Sequence, residues 1–587
     1  MFRNHLAAFA AAAILLAACG GETVSPGNNP PPPPPPAAIS IIELTPPTAS
    51  VDVGKTTPLV ATPRDAAGLA LTGRTLSWMS SSPAVATVET NGVVHGVAAG
   101  TAFITVSAEG KTAAAAITVT PVAGAPVATV TVAPALDTVE AYDPKTLTAV
   151  LRDAKDSVLT NRVVRWTSSN PAIASIDSAT GQLLGRDRGT VTITATSEKK
   201  TGSVSRVIVI KYRSMAAGSM HACDIASGGF VWCWGLNGRE GRIGGATMGD
   251  NAMSTAPVLV PNTGWYALRF TQLSSYATHT CGITVDAKAY CWGNNSWGQL
   301  GAASNVSQSN TPLLVAGNLS FRQISAGADH SCGVTTDNRA YCWGHNDWRQ
   351  FASNEVPMST SPVAVAPELS FVSITAGTGF TCGVATTGFG WCWGASGLGQ
   401  IGDASKISYG NTFSVTPRSV TMAPLHGIDA GLGYACGLDI FNEAVCWGSN
   451  GGRLGNGPSG TDSPGAVMVS GGRTFSSIST GNGFTCGVAT DAVVWCWGSN
   501  DNGQLGVEVP AVATSPVRAG GSLRAVEVAT AGVSTGFGRH TCVISLDRLS
   551  AFCFGRNETG QLGNGNTSTA TAVNPTPTLV VGQKPLP

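Results

Sequence analysis

The side chains in this sequence best suited to chemistry are sulfurs, and they come in pairs. After residue 220 an aromatic residue or His, one small residue and a Cys are followed ten or eleven residues later by a second Cys, usually within C-W-G. The pairs are Cys223 with Cys233, Cys281 with Cys291, Cys332 with Cys342, Cys382 with Cys392, Cys436 with Cys446, Cys486 with Cys496, and Cys542 with Cys553. They account for fourteen of the fifteen cysteines, and the last, Cys19, ends the run Leu16-Ala17-Ala18-Cys19 behind a short apolar stretch. Evenly spaced Cys pairs read as disulfides made in an oxidising compartment. The rival reading is seven pairs of reduced, buried thiols. Zinc fits less well, because C-x-x-C spacing is absent and each pair supplies only two ligands.

Those sulfurs need hairpins to hold them. Successive first cysteines lie 58, 51, 50, 54, 50 and 56 residues apart, and each unit contains several strand-like runs. This is the period of a propeller blade rather than of a helical repeat. In the third copy two β-runs flank Thr336-Asp337-Asn338, so a hairpin that sets Cys332 against Cys342 has a three-residue turn centred on Asp337. Opposed residues then sit about 4.5–5.5 Å apart at Cα, within disulfide reach. Closing a loop of about eleven residues is nominally worth about 2.8 kcal/mol. His330, Cys332 and Val334 share one face by the two-residue period, and Gly333 lies opposite Tyr341, whose ring is expected to cover the bare glycine. The same pairing joins Gly282 with Tyr290, Gly383 with Trp391 and Gly487 with Trp495, while Asp224 and Val543 break it in blades one and seven.

Other candidates are weaker. His221, His279, His330 and His540 stand two residues before the first Cys in blades one, two, three and seven, where Phe380, Tyr434 and Phe484 stand in blades four to six. In a closed ring these imidazoles form one arc, which suggests a metal or proton-transfer site, but the aromatic substitutes favour packing. Gly532-Val533-Ser534-Thr535-Gly536 matches G-x-S-x-G without the strand-turn-helix setting that a nucleophile needs, and reads as a loop. Trp265, Trp297, Trp348 and Phe351 lie in loops and are candidate partner anchors if they face solvent. No cofactor site, Walker loop, dinucleotide fingerprint or calcium loop is recognisable in the sequence.

Composition excludes further classes. Charged residues make up 12% of the chain, balanced at 34 basic and 34 acidic, and Gly reaches 72. Residues 212–587 carry 18 basic and 20 acidic side chains, so there is no electrostatic footprint for nucleic acid. The segment Leu6 to Ala18 is too short to cross a bilayer core of about 30 Å. The ending Leu16-Ala17-Ala18-Cys19 resembles the lipobox, which implies cleavage before Cys19 and its lipidation, and Gly20 in place of the Asp that commonly retains such proteins at the inner membrane implies the outer membrane. The run Pro30 to Pro36 reads as a polyproline II spacer.

Residues 39–121 and 126–211 repeat each other, with Trp78 matching Trp166 and Gly100-Thr101 matching Gly189-Thr190. Their alternating runs between Gly, Asp, Asn and Pro turns predict β-sandwiches. The blocks SWMSSSPAVATVETNGVVHGVAAGTAFITVSAEG and RWTSSNPAIASIDSATGQLLGRDRGTVTITATSE resemble the bacterial Ig-like group 2 family, whose members serve as spacers or adhesive modules. The string A-G-x-x-H-S/T-C-G-V…C-W-G-x-N-x-x-G-Q-L-G resembles the repeat of the regulator of chromosome condensation family over residues 212–585. That resemblance implies a seven-bladed β-propeller and a structural role for the His. Its members include guanine-nucleotide exchange factors, and one propeller of this type inhibits β-lactamases.

The expected protein is all-β, a seven-bladed β-propeller behind two Ig-like β-sandwiches. Its parts are a signal peptide (1–18), a Pro-rich linker (19–38), Ig-like domains (39–121 and 126–211) and the propeller (212–585). The expected function is a monomeric outer-membrane lipoprotein, at the periplasmic face or the cell surface, whose head binds an unknown protein, or a glycan, without catalysis, cofactor, metal or nucleic acid. The alternatives are a regulator or inhibitor of a partner enzyme, and an enzyme acting on glycans or peptides in the propeller channel.

Overall fold

A computed structural model describes residues 37–582 apart from 121–123, 136, 246–247, 262–267, 355, 405–411, 421–423, 459, 509–510, 533–537 and 570–571. Cys19, the signal segment, the Pro run, Trp265 and most of the G-x-S-x-G segment therefore lie outside the described residues.

The chain divides into two compact units, Met1–Pro126 and Val127–Pro587. In the first, Thr48–Asp52, Lys111–Thr120, Gly100–Ala108 and Ser77–Ser80 lie side by side in one sheet. Ile41–Thr45 pairs with Val60–Arg64, and Thr56–Pro58, Val93–Gly96 and Ala86–Val88 form a further sheet. Inward residues such as Ile104, Val106, Ile117 and Val94 make the core, and Trp78 packs against it partly buried. The module 126–211 repeats this plan, with Trp166 fully inside its core. Neither sandwich contains a cysteine, so its core closes on aliphatic and Trp burial without a disulfide.

Within the second unit this module shares its core with the propeller. Ala226, Phe230 and Trp232 of blade one join Val139, Ala141 and Trp166 in a single cluster. Tyr142 meets the Phe230 ring edge-on at 4.8 Å, and the Arg269 guanidinium caps Phe230 at 3.7 Å. Glu140 receives Ser227 Oγ at 2.9 Å and pairs with Lys211 at 3.6 Å and with Arg213. The approach is close enough to require glycine: Gly228 has φ 79°, and a Cβ there would lie 2.6 Å from Tyr142. The sequence boundary near 211 thus marks a change of repeat but not a hinge.

From Tyr212 to Leu579 the described residues form seven four-stranded antiparallel sheets, each continuous in sequence. In blade three the strands are Phe321–Ala326, His330–Thr335, Ala340–His345 and Met358–Ala364. Each blade's first strand packs beside the first strands of its neighbours, so these strands line the channel. Blade seven closes directly on blade one without strand exchange. Tyr212 N–H donates to the Arg548 carbonyl at 2.8 Å, and the Trp234 indole donates to the Gln561 carbonyl at 3.0 Å.

The expected hairpin register holds, with Cys332 opposite Cys342 and Gly333 opposite Tyr341. Asn338 sits at φ 66° and closes the three-residue turn through Asn338 N–H to Thr335 O. The equivalent place is held by Asn442 and, against its preference, by Ala287 (φ 62°) and Ala492 (φ 67°). Asn tolerates this left-handed conformation better than Ala. Ala492→Asn is expected to stabilise the protein by up to ~1 kcal/mol, read as a higher denaturation midpoint at unchanged slope.

One expectation about packing is corrected. The ring nearest Gly333 is that of Phe321 of the first strand, 2.7 Å from where a Cβ would stand, rather than that of Tyr341. Phe270, Phe371 and Phe475 cover Gly282, Gly383 and Gly487 in the same way. Reading only the hairpin misses this, because the third partner on that face comes from the preceding strand.

Candidate binding face

All seven cysteine pairs are disulfides, and every sulfur is buried between blades. Cys332 and Cys342, for example, pack against Phe371 and Trp393 of blade four. The Cα atoms are 4.0–4.1 Å apart, closer than the ladder spacing expected. The cause is register. Thr335 N–H bonds the Arg339 carbonyl, so by alternation the Cys332–Cys342 pair is a non-hydrogen-bonded one, where strands approach most closely.

The G-Q-L-G loop is a clasp between blades. Trp343 Nε1 donates to the Gln299 carbonyl at 2.9 Å, Trp393 to Gln350 at 2.8 Å, Trp447 to Gln400 at 3.0 Å, and Trp497 to Arg453 at 2.8 Å. The acceptor is the backbone carbonyl, which explains why Arg242 and Arg453 can replace the Gln. Gly301 (φ 67°) leaves room for the next blade's indole, since a Cβ there would lie 2.7 Å from Trp343. Gly301→Ala is expected to cost roughly 1–3 kcal/mol, measured by denaturant unfolding.

The four histidines extend these clasps. His279 Nε2 bonds Ser331 Oγ at 2.8 Å, and that hydroxyl donates onward to the Gln299 carbonyl at 2.9 Å. The hydroxyl's proton is therefore committed, and Nε2 must be the donor to it. His330 with Thr381 and Gln350 repeats the arrangement at 3.0 and 2.9 Å, and His221 bonds Thr280 at 2.9 Å. At the last seam Ala222 stands where the hydroxyl would be, and neither His540 ring nitrogen has a hydrogen bond of good geometry among the described residues. Burial holds His279, His330 and His540 at about 3 and pushes His221 well below the ordinary value, so all four are neutral. This is packing and hydrogen bonding, not a proton relay. Among the described residues no three His, Cys, Asp or Glu side chains gather as a metal site would require.

The channel is braced in a similar way. Ser274, Ser325, Thr375, Asp429 and Ser479 each accept an N–H from the next blade's first strand, Asp429 taking Thr480 N–H at 2.6 Å. Gln272, Gln323 and Glu527 do the same one step along. Burial raises the pKa of Asp429 and of Glu527. Tyr276, a residue the sequence did not flag, spans the channel mouth from blade two and meets Thr378 of blade four at 3.4 Å. The channel cavity is about 190 Å³ and lined mainly by small and hydroxyl side chains.

A wider opening than the channel lies elsewhere in the head, between blades three and four, at the end of the blades away from the Ser227–Gly229 turn that carries the Ig-like module. It encloses about 330 Å³ among Asp329, His330, His345, Trp348, Leu398 and Thr412. Trp297, Trp348 and Leu398 hold the same place in consecutive loops, two residues before the Gln. Trp297 is 40% exposed and Leu398 39%, while Trp348 is half-buried over the Gly379 turn. The Trp297 ring stacks on His345 at 4.2 Å, and His345 Nε2 lies 3.0 Å from Asp347. Of the loop aromatics expected as anchors, Trp297 and Trp348 therefore come together. Phe351 does not: it fills the buried Leu position of its loop at 1% exposure. Asp329 and His345 escaped notice because each merely flanks a repeat motif.

The family comparison decides what kind of head this is. The family described as regulator of chromosome condensation (RCC1) repeat matches residues 270–299, 321–347 and 475–504, and that described as bacterial Ig-like domain (group 2) matches 38–119 and 126–208. The chain carries RCC1 repeats behind two bacterial Ig-like domains. Among solved structures, the RCC1-type fold of yeast Prp20p aligns at TM-score 0.52 and 18% identity, over 62% of this chain and 88% of that one. Human WBSCR16 aligns at TM-score 0.50 and 20% identity, over 58% and 89%. By sequence, protein pim1 of Schizosaccharomyces pombe is 28% identical over 22% of this chain and 26% of its own length. The ultraviolet-B receptor UVR8 of Arabidopsis thaliana is 30% identical over 24% and 31%. The matches span only about a quarter to a third of these curated relatives. They place the RCC1 repeats of this chain on a β-propeller fold.

Proposed function

We propose that this protein is a lipid-anchored outer-membrane protein, exposed at the periplasmic face or the cell surface, whose RCC1-type propeller binds another protein and catalyses nothing. The observation that carries the binding reading is the arc of Trp297, Trp348 and Leu398, which presents partly exposed apolar surface at the end of the blades remote from the docked Ig-like module. Partly exposed Trp beside a cavity is the usual composition of an interface anchor. Export is supported by the lipobox resemblance at Cys19 and by cysteines that form seven bridges. Yeast Prp20p is described together with its binding to Gsp1p and histones, which supports protein recognition as a task for such propellers.

A second reading, regulation or inhibition of a partner enzyme, draws on the same comparison and on the same face. Catalysis in the channel has less support, since Asp429 and Glu527 are occupied by backbone N–H groups and Tyr276 spans the mouth.

Two measurements test the proposal. Intact mass of the membrane-purified protein should show cleavage before Cys19 with added acyl mass, and a gain of fourteen protons on reduction under denaturing conditions; an uncut leader with free thiols would overturn it. Affinity capture from envelope fractions by the full chain should retain a defined protein, and retention of none would remove the binding reading.

A further inference from the structure

We propose that the opening between blades three and four receives a cationic side chain, Lys or Arg, from the partner protein; this rests on the protein-binding reading above. Asp329 lies in the wall of the cavity, half-buried, and its carboxylate accepts no hydrogen bond among the described residues, while its own backbone carbonyl is engaged by His345 N–H at 2.9 Å. Among the described residues no Lys or Arg lines the opening. The nearest guanidinium in sequence, Arg349, turns instead towards the Phe413 ring at 5.2 Å and the Asn346 carbonyl at 3.4 Å. Burial raises the pKa of Asp329 and only the His345 imidazole works against it, so a half-buried carboxylate with no Lys or Arg beside it among the described residues favours an incoming cation.

The aromatic walls fit the same ligand. Trp348 lines the opening, and the Trp297–His345 stack extends an aromatic shelf from it towards Asp347, whose side chain is 59% exposed. A cation over an indole face beside a carboxylate gains from both. A neutral sugar would need several free donors and acceptors, and apart from Asp329 and His345 the side-chain oxygens here are already engaged. The side chains of Gln350 and Gln400 accept Trp348 and Leu398 N–H at 3.0 and 2.8 Å, and Thr412 Oγ1 is bonded by Ser396 at 3.0 Å.

The test uses the full chain, a short peptide rich in Lys and Arg, and its Gln-substituted twin, with binding followed by calorimetry. Binding is expected for the basic peptide only, weakening with salt, and falling roughly tenfold or more in Asp329→Asn and in Trp348→Ala. Asp329→Asn keeps the shape of the site, so its melting temperature should match the parent's and separate recognition from folding. Equal binding of both peptides, binding indifferent to Asp329→Asn, or displacement by a neutral oligosaccharide would each overturn the proposal. A captured partner that binds the Asp329→Asn chain as tightly as the parent would overturn the cation pocket and leave the protein-binding reading standing. Failure of the parent chain to capture any partner would remove that broader reading instead.

Discussion

Reduction in denaturant, followed by return to native conditions with the thiols blocked, is expected to leave the propeller unfolded. Each bridge closes a loop of about eleven residues, a constraint on the unfolded chain worth about 2.8 kcal/mol, and seven of them, nominally about 20 kcal/mol, exceed the roughly 5–15 kcal/mol by which domains are usually stable. The bridges are not interchangeable with packing, because their sulfurs are themselves the apolar filling against Phe371, Trp393 and their equivalents. Without denaturant the same reductant should act slowly, since all fourteen cysteines have 0% exposure. Circular dichroism and thiol counting together check both halves. Rapid reduction with retained β-structure would refute the account.

Acid should be the other strong destabiliser. His279, His330 and His540 stay neutral in the folded protein down to about 3, whereas in the unfolded chain each takes up a proton near 6.5. The folded pKa is depressed, so the unfolded state binds more protons between these values. Stability is then full above about pH 6.5 and lost as pH falls towards 3, by up to ~1.4 kcal/mol per pH unit for each histidine. For these three histidines the cost at pH 5 comes to about 6 kcal/mol, and His221, also depressed by burial, acts in the same direction. Asp429 and Glu527 act in the opposite sense, because burial raises their pKa and lets the folded form hold protons more readily. Their effect falls in the carboxylate range and offsets part of the loss. The control is His330→Phe, which copies the side chain that Phe380 and Phe484 supply at the same place in blades four and six. It should flatten the acid limb of a stability-against-pH curve by about one proton while leaving stability near neutrality little changed. An unaltered limb would show that His330 titrates normally.

Much of the fold was legible because each blade announces itself locally. The hairpin register followed from cysteine spacing and one turn, Thr336-Asp337-Asn338, since a period of two fixes every facing pair once one pair is known. What escaped were relations between blades. The cover over Gly333 comes from Phe321, and the Gln299 carbonyl serves Trp343, so neither partner stands in the motif that needs it. The same limit hid the opening at Asp329 and His345, which takes its walls from two consecutive repeats. Phe351 belongs to the degenerate G-Q-L-G loop Arg349-Gln350-Phe351-Ala352 already visible in the sequence, and its burial settles it as the Leu of that loop rather than a solvent-facing anchor.

Because every bridge joins consecutive cysteines within one sheet, the second cysteine of each pair, on emerging in order from a secretion pore, would find its proper mate to be the sulfur that has just preceded it. Oxidation in the sequence of arrival then gives native connectivity without reshuffling, so if the chain is exported as proposed, its production should depend on a thiol oxidase and be indifferent to loss of an isomerase.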